Sequence, residues 1–157
     1  MSMLALNEPV VDESLVLPAP PVDSSTCERV WFALAQKSWT TLAVVPTDRS
    51  VRTERIVLSL VAAGEQHGAR SIRLVDATGV TMRHYLRIAT SFRLTGAANC
   101  MIVRLDPVAD NPTTLGLARA ASAVLVVARF GESRLSSMHG LVEAIGRERV
   151  AGCVVVP

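Results

Sequence analysis

The chain predicts an α/β fold: a three-layer, doubly wound, mostly parallel sheet. Two observations carry this. Five apolar runs, at 42–45, 71–75, 100–103, 123–128 and 152–156, recur through residues 25–157 and read as continuous stretches, not as apolar-polar alternation. Strands of that kind are covered on both faces, as in parallel sheets. Between the runs lie segments with apolar residues at helical spacing, and strands that alternate with helices form parallel sheets through crossovers.

Composition narrows the class. A chain of 157 residues forms one domain and can bury a sizeable core. Half of the residues are hydrophobic and 19% are charged, which is globular composition. The net charge of +2 points to no nucleic-acid and no membrane partner. Cys27, Cys100 and Cys153 are far apart and odd in number, so they make neither a metal spacing nor a disulfide framework, and a reducing cytoplasm fits them. Cys100 and Cys153 stand beside apolar strands and read as buried thiols. No basic stretch followed by an apolar one marks a secretory leader, and the longest apolar run is far short of a membrane span.

The elements follow in order. Residues 1–24 hold Pro9, Pro18, Pro20 and Pro21 among scattered acids and read as a disordered tail. A helix is expected from Ser25, with Ser24, Ser25 or Thr26 as its cap and Val30, Trp31, Leu34 and Ala35 as its apolar stripe. The strand 41–45, a polar loop and a helix over 53–63 come next, with Gly64 as a left-handed cap. After the strand 71–75 a helix is expected over 80–93, its inner face Met82, Tyr85, Leu86 and Ile88 or Ala89. Beyond the strand 100–103 lies a helix over 112–121, with Pro112 in its first turn, where a missing N–H costs nothing. The strand 123–128, a helix over 134–146 and the strand 152–156 complete the alternation. Ligands of such sheets sit beyond the carboxyl ends of the strands, so any site belongs to the loops 46–52, 76–81, 104–111 and 129–133.

The stretch 41–60, TLAVVPTDRSVRTERIVLSL, has the strand–loop–helix frame of a phosphate-binding P-loop. The pattern G-x-x-x-x-G-K-[ST] would fall on Pro46, Val51, Arg52 and Thr53, so only the hydroxyl matches. Pro46 lacks an N–H, and Val51 places a branched side chain where the backbone must approach phosphate closely. Arg52 keeps the charge with a larger, flat head. Lys37 is the only lysine, so no later loop can offer an ammonium. Arg49, Arg52 and Arg55 cluster at a helix start and, with Thr53, form a possible anion site, or else a solvated basic rim. His67, His84 and His139 have no partner at metal spacing, and no metal is expected.

Two further stretches carry a resemblance: MIVRLDPVADNPTTLGLARAASAVLVVARFGESR at 101–134 and LVEAIGRERVAGCVVV at 141–156. Asp110, Leu117, Ala118, Arg119, Val124 to Val127, Arg129 and Gly131 stand in the register of a family pattern, and 146–152 looks like that family's last helix-to-strand turn. Over residues 26–157 the chain resembles the cytoplasmic ATPase domain of bacterial tyrosine kinases and capsular or exopolysaccharide chain-length regulators, in the P-loop group of MinD and ParA. The resemblance implies a P-loop NTPase-like fold with a degenerate P-loop. Its second motif, apolar-Asp-x-Asp-x-Arg, maps onto Asp76, Thr78 and Val80, and its metal-orienting acid onto Arg104, with Asp106 two residues beyond. Its self-association motif, Glu-x-x-Arg-x-x-Arg, maps onto Glu28, Trp31 and Leu34, and its tyrosine-rich tail has no counterpart, Tyr85 being the one tyrosine.

The resemblance therefore implies a non-catalytic partner or regulator in bacterial exopolysaccharide biosynthesis and export. It would be cytoplasmic and without cofactor, docked on a membrane polysaccharide co-polymerase or chain-length protein, and a monomer or dimer instead of a ring. Two alternatives stay open. One is a divergent active ATPase or tyrosine kinase using Arg52, Thr53, Asp76 and Asp106. The other is a module for a metal-free nucleotide or other anion.

Overall fold

The computed structural model describes residues 24–68 and 71–157. The tail expected over 1–24 lies outside them except for Ser24, which already opens the first helix. The order is α1 Ser24–Ala35, β1 Thr41–Pro46, α2 Glu54–His67, β2 Ser71–Asp76, α3 Met82–Leu94, β3 Asn99–Arg104, α4 Thr113–Ala120, β4 Ala123–Arg129, α5 Leu135–Ile145 and β5 Val150–Val156.

The five strands form one sheet in the order β2-β3-β1-β4-β5, and every pairing is parallel. β1 lies at the centre, as its apolar run requires, and all six of its residues are buried. Leu42 and Val44 point to one side, where α1 and α2 add Trp31, Leu34, Ile56, Val57 and Leu60. Ala43 and Val45 point to the other, where α3, α4 and α5 add Phe92, Leu117, Ala118 and Ile145. Alternate residues of one strand thus serve two cores, and the three-layer, doubly wound architecture follows. The crossover after β1 runs over one face and the crossover after β3 over the other. A crevice opens between the carboxyl ends of these neighbouring strands, where such sheets place their ligands.

Four local expectations need correction. The second helix does not stop at Gly64 but continues to His67, with an extended cap at Gly68. Gly64 serves packing instead: a Cβ there would lie 2.1 Å from Ile72 Cδ1 and 2.7 Å from the Trp31 ring, so its bare backbone lets α2 meet α1 and β2. Met82 and Leu86 face outward, at 69% and 70% exposure, and the inner stripe of α3 is Tyr85, Ile88, Ala89 and Phe92. β2 is an edge strand, and its polar residues Ser71 and Arg73 are exposed while Ile72 and Leu74 turn inward. Cys100 is buried but Cys153 is exposed, because β5 is the opposite edge. Partial burial still pushes the Cys153 thiol pKa up.

Candidate functional site

The crevice between β1 and β3 is an open cleft of about 280 Å³ lined by Pro46, Arg49, Val51, Arg52, Thr53, Glu54, Thr78, Arg104, Leu105, Asp106, Pro107 and Asp110. The structure therefore brings Pro46, Val51, Arg52, Thr53, Thr78 and Arg104 together in one place. Asp76 borders them through its bond to Arg104.

The loop after β1 is a tight turn that closes on itself. The Val51 N–H donates to the Asp48 carbonyl at 3.3 Å. Asp48 Oδ1 accepts the Ser50 N–H at 2.9 Å and the Ser50 hydroxyl at 2.5 Å. An aspartate that bonds its own backbone two residues on makes an Asx-turn. Asp48 Oδ2 accepts the Ser133 hydroxyl at 3.0 Å and the Thr47 hydroxyl at 3.1 Å, and the Thr47 N–H reaches the Val127 carbonyl at 2.9 Å. The amides of residues 47, 50 and 51 are thus engaged within the protein, and Pro46 has none to give. The loop also needs no glycine. Among the described residues only glycines take positive φ, at 79, 131 and 146. Val51 turns inward and joins the core with Ile56 and Leu60.

The hydrogen bonds to Asp48, that from Ser50 foremost, hold its carboxyl below the ordinary value of 3.8. A carboxyl depressed on folding contributes stability above its unfolded pKa, and that contribution is lost as pH falls through its folded pKa. Asp48→Asn should therefore flatten the acid limb of the stability curve below about pH 4. Thermal melts of both forms from about pH 5 to about pH 2 check this; parallel curves refute it.

The other half of the cleft centres on Arg104, the last residue of β3. Asp76 ends β2 directly beside it, because Asp76 and Arg104 are register partners in the parallel pair. Arg104 Nη1 donates to Asp76 Oδ2 at 3.1 Å, Nη2 to Glu54 Oε1 at 2.7 Å and Nε to the Thr53 hydroxyl at 3.1 Å. The side chain is only 19% exposed, and Thr53 is buried. Five donors in a fixed fork let one guanidinium hold three partners, which a lysine ammonium could not do in this geometry. Asp76 Oδ1 also accepts the Thr78 N–H at 3.0 Å and the Thr78 hydroxyl at 2.7 Å. Both of its oxygens are engaged.

The remaining positions are mostly engaged. Arg49 reaches Asp110 at 2.8 Å across the cleft mouth. Asp106 Oδ2 accepts the Gly79 N–H at 2.6 Å and the Asn111 side-chain amide at 3.2 Å, which ties the loop after β2 to the loop after β3. Arg52 and Arg55 are exposed, with no hydrogen bond or ion pair among the described residues. The three arginines lining the cleft face three carboxylates, Glu54, Asp106 and Asp110, so it carries little net field. Sequence reading missed Asp48, Glu54 and Ser133. The Asp-x-Ser spacing at 48–50 signals an Asx-turn, but the reach of Ser133 to Asp48 has no local signal.

Magnesium does not fit this donor set. A divalent cation near Thr53 and Asp76 would meet the Arg104 guanidinium, which already takes the hydroxyl and one carboxylate oxygen.

No family model matches the chain, and no curated protein is similar to it in sequence. Solved structures do match in fold. The kinase domain of the Escherichia coli tyrosine kinase ETK superposes with a TM-score of 0.65 and 12% identity, over 80% of this chain and 70% of that one. The chimerical protein CapA2B2 gives 0.64 and 12%, over 89% and 86%. The BceF tyrosine kinase domain gives 0.59 and 10%, over 84% and 74%. The fold implied by the resemblance is the fold found.

Proposed function

We propose that the chain is a non-catalytic relative of bacterial tyrosine kinase domains, a partner or regulator in exopolysaccharide biosynthesis and export. The observation that carries the non-catalytic part is the Arg104 guanidinium, bonded to Thr53, Glu54 and Asp76 where the resemblance puts a magnesium ion and its ligands. Asp48 supports it from the other side, since its carboxylate takes amide and hydroxyl donors inside the loop that would cradle phosphate. The cleft thus holds its own cation and its own anion. Docking on a membrane chain-length protein rests on the kinship of fold, an association. Trp31 and Leu34, at the arginine positions of the ring-forming motif, are core residues here and unavailable to a neighbour, which favours a monomer or dimer.

Titration calorimetry with ATP, with and without Mg²⁺, tests this reading. The loop offers few amides and no lysine, and each unmade charge-assisted bond forfeits about 1–3 kcal/mol. A loss of two or more such bonds turns a micromolar site into one that is roughly millimolar or weaker. The expected result is weak binding at most, unimproved by magnesium. Tight, magnesium-dependent binding that Asp76→Ala abolishes would sink the proposal in favour of an active ATPase or kinase.

A further inference from the structure

The small net charge hides an uneven distribution. All 16 lysines and arginines follow residue 23, while Glu8, Asp12, Glu13 and Asp23 precede Ser24 and leave ten of the 14 acids to face them. Part of the excess lies on α3. Its sequence, MRHYLRIATSFRL, contains three arginines, a histidine and no acid. Tyr85, Ile88, Ala89 and Phe92 face the core, and Tyr85 packs on Gly116 of α4. The rest of the helix faces out. Met82, Leu86 and Leu94 are 69%, 70% and 79% exposed. Arg83 and Arg87 stand among them, exposed, their guanidiniums without an ion-pair or hydrogen-bond partner among the described residues. Arg93 reaches only the Thr90 hydroxyl, at 3.4 Å.

Unpaired arginines interleaved with long, exposed apolar side chains define one kind of surface. Single exposed apolar side chains are ordinary on a solvated face, but Met82 and Leu86 stand one turn apart on a single stripe beside the arginines. A helix-binding protein interface is a groove lined by apolar residues. This face is instead the outer ridge of an outer layer, with α4 as its chief helical neighbour. A convex basic ridge with projecting apolar side chains suits a soft, negatively charged interface, where the aliphatic parts enter between headgroups and the guanidiniums bind phosphates.

We propose that the outer face of α3 is a docking surface for anionic phospholipid headgroups, so that the domain itself lies against a membrane surface. The contact is peripheral. Among the described residues no helix is long and apolar enough to cross a bilayer, and none is needed. It is independent of the state of the cleft and of any protein partner. Its failure would leave the non-catalytic reading untouched.

Co-sedimentation of the full chain with vesicles tests it, using phosphatidylcholine alone and phosphatidylcholine with about a third phosphatidylglycerol. Binding is expected to the anionic vesicles only and to weaken with added salt. Each arginine near such a surface contributes about a fivefold factor in partitioning. The double variant Arg83→Glu, Arg87→Glu should therefore lose more than about twentyfold. Met82→Ser with Leu86→Ser should weaken binding with all charges kept. Arg134→Glu, an exposed arginine on the loop before α5, should bind as the wild type does. All five positions are exposed, and circular dichroism checks that the variants fold. Equal loss with Arg134→Glu would show a mere net-charge effect and overturn the proposal. Failure of the full chain to sediment with anionic vesicles would overturn it too, as would preferential binding to an acidic polypeptide such as polyglutamate.

Discussion

Trp31→Ala should destabilise the domain by about 3–5 kcal/mol, the range for removing a buried tryptophan side chain. That corresponds to a fall in Tm of about 6–20 °C for a domain of this size. Trp31 is 4% exposed and meets Trp39 edge to face, with ring centroids 5.9 Å apart. It also lies against the bare backbone of Gly64, where α2 crosses α1. The site cannot collapse easily, because the bordering Trp39 is fixed by its indole N–H to the Leu34 carbonyl at 2.9 Å. Trp31→Arg, which introduces the arginine of the motif the chain resembles, should be worse, since it buries a charge where the core supplies no partner. Thermal unfolding measures the first effect, and light scattering checks that the arginine variant gains no ring. A loss under about 1 kcal/mol for Trp31→Ala would mean that α1 is not part of the cooperative core.

Arg104→Met should cost about 2–4 kcal/mol, or about 4–16 °C in Tm, although it preserves the aliphatic stem. The guanidinium is the shared partner of Asp76, Glu54 and the buried Thr53 hydroxyl. Without it two carboxylates confront each other across the cleft, and the hydroxyl loses a charged donor. Arg104 is mostly shielded, so solvent screens these interactions less than in a surface pair, although Asp76 and Glu54 are nearly half exposed. Arg104→Lys should recover only part of the loss, because an ammonium cannot span three partners in this geometry. Arg104→Asp is the sharper probe. It would gather three carboxylates around Thr53, lowering stability further in the absence of cations, and millimolar Mg²⁺ should then raise the Tm where it leaves the wild type unchanged. A wild-type Tm that rises with magnesium, or an Arg104→Met protein as stable as wild type, would contradict the role of the guanidinium as the resident cation.

Sequence alone determined the parallel α/β architecture, since runs such as 42–45 and 123–128 are too uniformly apolar for any strand with a wet face. It also located Pro46, Val51, Arg52, Thr53, Asp76, Thr78 and Arg104 in loops and strand ends that border one cleft. What these positions bond to was decided only by tertiary structure. Arg104 meets Asp76 because parallel register aligns two strand ends 28 residues apart, and it meets Thr53 and Glu54 because the α2 helix starts beside β3. Gly64 looked like a helix stop because glycine at the end of an apolar pattern is read locally, whereas a crossing of α1, α2 and β2 is not. Met82 and Leu86 looked like core because hydrophobicity does not reveal which face of α3 meets the sheet. Tyr85, Ile88, Ala89 and Phe92 take that face, and these two residues stand on the outside with the arginines.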